Sequence, residues 1–114
     1  MHTVLLVLQS EDFRLVLQDV LKHQYRIFSA RDADEGAILL QYRPDILLLD
    51  LFLPRTDGLT FLEKNHAQLP STILLFTTLA NSTILKTAYD LGVNAIFLKP
   101  CSLTSVQRWL NLQI

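Results

Sequence analysis

A chain of 114 residues, half of them hydrophobic and 18% charged, has the size of one domain and too much apolar material for disorder. Its formal charge of −1 gives no electrostatic reason to expect nucleic acid or an anionic membrane as a direct partner. There is no run of about 18 apolar residues to span a bilayer, and a single cysteine, Cys101, leaves no internal disulfide, which points to a reducing, cytoplasmic setting.

Val4–Leu8 is a continuous apolar run that predicts a buried strand. Ser10 caps the helix that follows, with Glu11 and Asp12 in its positive first turn and Phe13, Val16, Leu17, Val20 and Leu21 as its apolar stripe. Tyr25–Ser29 is a strand of mixed character, suited to a sheet edge. A second helix covers Ala33–Tyr42, capped near Asp32, weakened in its middle by Gly36 and stopped before Pro44. Ile46–Leu49 then form a strand buried on both faces and ended by a carboxylate, Asp50. Pro54 and Asp57-Gly58 predict a turn.

A third helix runs from about Leu59 to His66, with Leu59 and Leu62 facing inward. Thr72–Thr77 is a fourth buried strand, and Asn81 or Ser82 caps a fourth helix ending at Leu91-Gly92. Ala95–Leu98 is a fifth strand, followed by Lys99-Pro100. Leu103, Val106 and Leu110 mark a fifth helix. Five β-α repeats imply right-handed crossovers. The expected fold for residues 1–114 is one α/β domain, a flavodoxin-like, doubly wound, five-stranded parallel sheet in the order 2-1-3-4-5 with five helices.

In such a sheet the carboxyl ends of strands one, three, four and five share a crevice. They deliver Leu8, Gln9 and Ser10, then Asp50, then Thr77 and Thr78, then Lys99. A carboxylate can attack a phosphoryl group, and an ammonium with a hydroxyl can stabilise the oxygens transferred. The bland counterpart is a strand-end aspartate capping loop amides and neutralised by Lys99, with Thr77 a satisfied strand hydroxyl.

These residues resemble the receiver domain of two-component response regulators, over essentially the whole chain. Pro44-Asp45-Ile46-Leu47-Leu48-Leu49-Asp50, then Pro54, Asp57-Gly58, Thr77, Leu91-Gly92 and Lys99-Pro100 stand in that family's order and spacing. The resemblance implies that Asp50 is the phosphoacceptor for a histidine kinase or phosphotransfer protein. It implies that Thr77 moves its hydroxyl onto the phosphoryl group, that Lys99 pairs with it, and that the Lys99-Pro100 bond is cis. The domain would not be an enzyme in its own right.

Two departures stand out. The family carries acidic residues straight after the first strand to hold Mg²⁺, and those places read Leu8, Gln9 and Ser10. Asp50 with a Gln9 amide oxygen and the Phe52 carbonyl makes a weak Mg²⁺ site, while Glu11 and Asp12 serve the helix dipole. Three residues before Lys99 the family often has an aromatic ring; here Ile96 takes that place, with Phe97 pointing to the other side of the strand. Phe52 and Leu79 stand where the family's hydrolytic water passes, and their bulk implies slow loss of a phosphoryl group.

The alternative is a pseudo-receiver, a phosphorylation-independent interaction or dimerisation module, because Leu8 and Gln9 replace the acidic pair. A flavin- or nucleotide-binding enzyme fits poorly, since no Gly-rich loop follows strand one. His2, His23 and His66 have no ligand spacing and read as surface, and Cys101 reads as a partly buried free thiol. Trp109 reads as core edge, or as an anchor on a face of helix four, strand five and helix five that docks an output domain, another protein or a second copy.

Overall fold

The computed structural model describes residues 1–113. Five strands form one parallel sheet: β1 (His2–Val7), β2 (Tyr25–Ala30), β3 (Ile46–Asp50), β4 (Thr72–Thr77) and β5 (Ala95–Leu98). Their order across the sheet is 2-1-3-4-5, the order expected of a five-stranded doubly wound sheet of this length. The helices are α1 (Glu11–Leu21), α2 (Ala33–Leu39), α3 (Gly58–Lys64), α4 (Ser82–Asp90) and α5 (Leu103–Asn111). The result is a doubly wound, flavodoxin-like α/β domain. Among the described residues no helix is long and apolar enough to cross a membrane.

Alternation along the strands splits the core in two. Leu5, Val7, Leu47, Leu49, Ile73 and Leu75 face Phe61, Leu62 and Ala88, from α3 and α4. Val4, Leu6, Leu48, Leu74 and Phe76 face Leu17, Leu21, Val106 and Leu110, from α1 and α5. Ile96 and Phe97 divide accordingly between the two sides. Because both faces are covered, the strands read as unbroken apolar runs rather than alternating ones.

The helix caps fall on Ser10, Asp32, Asn81 and Ser102, each accepting a backbone N–H of the first turn. Some expectations shift. In α1 only Leu17 and Leu21 are buried, and Val16 is exposed, because it lies about 100° around the helix from Leu17. α2 stops at Leu39 and tightens into a 3₁₀ turn over Leu40–Tyr42, which the left-handed Arg43 (φ 54°) ends. α3 runs only from Gly58 to Lys64, and Phe61 joins Leu62 in the core.

Asp57-Gly58 is not a free-standing turn. Asp57 caps α3 through Oδ1, which accepts the Thr60 N–H at 2.8 Å, and a two-stranded ribbon (Phe52–Leu53 with Thr56–Asp57) makes the reversal, with Arg55 at φ 65°. Gly58 is there for space, since an added Cβ would run into the backbone carbonyl oxygen of Asp50. Gly36, likewise, is a contact rather than a weak point: a Cβ there would come 2.9 Å from Val7 Cγ2.

Tyr25 is the largest fully buried side chain, and its hydroxyl has no hydrogen-bond partner among the described residues. A buried hydroxyl without a partner costs about 1–3 kcal/mol. Tyr25→Phe should therefore raise stability by about 1 kcal/mol, read as a higher urea midpoint. Burial also pushes the phenol pKa up. The neutral form is the one the fold favours, so this share of stability is intact below about pH 10 and is lost as pH rises beyond it. The phenylalanine variant should lose less stability in that alkaline range.

Candidate functional site

Strand register brings the chemistry together. Asp50 pairs with Phe76 across β3 and β4, and Thr77 with Leu98 across β4 and β5. The ladder continues one residue past β5, where the Lys99 N–H donates to the Thr77 carbonyl at 2.8 Å. Leu8 extends β1 in the same way, its N–H donating to Ala30 O at 3.2 Å. Asp50, Thr77 and Lys99 thus meet at one lip of the sheet. They bound a cleft of about 460 Å³ whose other walls are Gln9, Ser10, Phe52 and Thr78.

Apart from the Tyr25 hydroxyl, the buried polar side chains of the described chain are Asp50, at 2% exposure, and Thr77, at 1%. Asp50 Oδ2 accepts the backbone N–H of Gln9 at 2.8 Å. Its Oδ1 meets Lys99 Nζ at 2.6 Å, as an ion pair without hydrogen-bond alignment. A buried carboxylate needs this pairing, because an uncompensated charge in the interior is costly. The ammonium is itself partly solvated and lies 5.1 Å from the centre of the Phe13 ring. Phe13 meets Phe76 edge-on and Phe76 stacks on Phe97, each pair at 5.5 Å, so an aromatic row joins α1, β4 and β5 beside the lysine.

The Thr77 hydroxyl is engaged within its own loop, accepting the Leu79 N–H at 2.9 Å and donating to the Leu79 carbonyl at 2.8 Å. Phe52 and Leu79 are both half-exposed. Cys101, half-buried, lines a smaller apolar cavity with Phe13, Thr78 and Pro100; burial pushes its thiol pKa up, against the opposing pull of Lys99. The Lys99-Pro100 bond is cis. Trp109 packs at the edge of the core beside α1 and α5, while His2 and His66 are exposed.

Sequence reasoning missed Arg14. Its Nη1 donates to the carbonyls of Leu8 and Gln9 at 2.6 and 3.2 Å, and so clamps the loop after β1. The available signal was a lone basic residue one turn into a helix whose start is acidic. The donor set for Mg²⁺ is poor. Leu8 is fully buried in the core, Gln9 turns its N–H toward Asp50 Oδ2, and Asp50 Oδ1 is already neutralised by Lys99. Among the described residues no three His, Cys, Asp or Glu side chains are placed to hold an ion. These residues do not fit the metal.

A family model described as the response regulator receiver domain matches residues 4–111. The chain belongs to that family, and its place is in two-component signalling as a receiver domain. Among curated proteins it is similar to the protein-glutamate methylesterase/protein-glutamine glutaminase of the group 3 operon of Bradyrhizobium diazoefficiens. The two are 35% identical over 103 residues, 85% of this chain but 28% of the relative. The second such protein of Hahella chejuensis is 37% identical over 105 residues, with the same shares covered. This chain therefore spans less than a third of the length of these relatives.

Solved structures agree on the fold. A chemotaxis protein of Vibrio cholerae gives a TM-score of 0.90 at 23% identity, covering 100% of this chain and 99% of that one. A CheY-like receiver domain protein of Methanospirillum hungatei gives 0.91 at 21%, covering 99% and 93%.

The ion pair makes a testable asymmetry. Lys99→Met strands a buried carboxylate and should cost about 2–3 kcal/mol, below the full range for a buried pair because the ammonium is partly solvated. Asp50→Asn removes the buried charge itself and should cost less. Urea unfolding of both variants gives the order, and the reverse order would show that Lys99 is not what compensates Asp50.

Proposed function

We propose that residues 1–114 form a single receiver domain whose phosphoacceptor is Asp50. The observation that carries this reading is the buried carboxylate held at 2.6 Å from Lys99, with Thr77 at the adjacent strand end. A phosphohistidine of a histidine kinase or phosphotransfer protein presents its phosphoryl group in the cleft. A carboxylate oxygen of Asp50 forms a bond to phosphorus as the bond from phosphorus to the imidazole nitrogen breaks, its electron pair staying on nitrogen. Lys99 leaves the carboxylate for the phosphoryl oxygens, and Thr77 exchanges its Leu79 partner for one of them. The chain takes up a group and keeps it, so it is a receiver and not an enzyme.

The change passes to the face of α4, β5 and α5, where Trp109, Tyr89 and Leu98 present apolar surface to an output domain, a protein partner or a second copy. The much greater length of the curated relatives supports an output partner. A single free cysteine supports a cytoplasmic setting.

Incubation with acetyl phosphate followed by intact-protein mass should show a phosphate adduct in the wild type and none in Asp50→Asn. An adduct that survives in Asp50→Asn would place the acceptor elsewhere. Once formed, the adduct should decay over hours, because the half-exposed Phe52 and Leu79 side chains crowd the approach of water. Phe52→Asn should shorten that lifetime several-fold, and minutes-scale loss from the wild type would contradict the crowding.

A further inference from the structure

We propose that the Asp50 cleft works without a divalent cation, Lys99 being the one cation that acts on the phosphoryl group. This rests on Asp50 as the acceptor and concerns what balances its charge. A magnesium ion takes six oxygens in near-ideal octahedral geometry and sheds its waters only for well-placed anionic ligands. Here Oδ2 of the carboxylate accepts the Gln9 N–H at 2.8 Å, and Oδ1, which has no hydrogen bond, is ion-paired with Lys99 Nζ at 2.6 Å. An ion approaching Oδ1 must displace an ammonium that already neutralises it. Asp50 and Lys99 cancel, so the cleft holds no surplus of negative charge to draw a dication.

The β1 end offers no help. The Leu8 side chain is fully committed to the core on the α1 side, and its carbonyl is occupied by Arg14 at 2.6 Å. Gln9 brings a neutral amide, with N–H donors suited to phosphoryl oxygens as well as one oxygen. Glu11 and Asp12 are exposed in the first turn of α1 and make no ion-holding group with Asp50 among the described residues.

Lys99 is correspondingly well held. Its backbone N–H is fixed to Thr77 O at 2.8 Å, its ammonium sits on Asp50, and the Phe13 ring backs it at 5.1 Å. A cation already paired with the acceptor oxygen stands beside the group on which charge develops. In the transfer the new bond joins Asp50 oxygen to phosphorus, the donor leaves with its electron pair, and Lys99 moves from a carboxylate oxygen to the phosphoryl oxygens.

Two measurements test this on the intact chain. In the first, Mg²⁺ alone is titrated to tens of millimolar while the backbone amides of Gln9, Asp50 and Phe52 are followed by NMR. No saturable shift is expected, and a saturable one overturns the proposal. Gln9→Asp, at an exposed position, should acquire such a shift; if it does not, Gln9 is not the residue that denies the ion, and that part of the proposal falls.

In the second, acetyl phosphate is supplied with excess chelator or with millimolar Mg²⁺, and the adduct is weighed. Equal rates within about two-fold support the inference, whereas an adduct that needs Mg²⁺ overturns it and leaves Asp50 as acceptor. An adduct in neither condition overturns Asp50 as acceptor, and the amide titration still decides whether the cleft binds an ion. In Phe13→Leu the chelator-resistant rate should fall about two- to five-fold, the loss of one cation–π contact.

Discussion

A carboxylate sealed at the end of the central strand is the constraint around which the domain is arranged. Asp50 lies on β3, the middle of the sheet, and is almost entirely removed from solvent. Water cannot compensate its charge there, so the protein does, with one amide from the β1 loop and one ammonium from the end of β5. Those partners come from separate strands, and their positions are correct only if the parallel register of β1, β3, β4 and β5 is correct. Gly58 tightens the arrangement further, because the start of α3 is packed onto the Asp50 carbonyl so closely that no side chain fits between them.

Much of this was legible in the sequence because it rests on local rules. Buried parallel strands are continuous apolar runs, and Ile46–Leu49 and Thr72–Thr77 are bounded where their patterns break. Ser10, Asp32 and Asn81 are caps by residue type and position. The meeting of Asp50, Thr77 and Lys99 followed from the rule that strand carboxyl ends share a crevice.

What the sequence did not disclose depends on distance in space. The roles of Gly36 and Gly58 come from neighbours on other elements, Val7 and the Asp50 backbone. Propensity reads such glycines as weak points or turns. Arg14 acts through carbonyl groups, which carry no side-chain signature. The α1 stripe was drawn too wide, because periodicity gives the apolar arc and only packing decides how much of it is covered. The row Phe13, Phe76 and Phe97 joins three elements far apart in the chain, and no spacing rule connects them.

The small turn at Thr77 has a consequence of its own. Both hydrogen-bonding functions of that hydroxyl are spent on the backbone of Leu79. Any new acceptor for it is gained by exchange, so the net free energy of the swap is the difference between two bonds and not the worth of one. Redirecting the O–H would free the Leu79 carbonyl, at the point where the chain leaves β4 for α4, while the hydroxyl oxygen could still accept the Leu79 N–H.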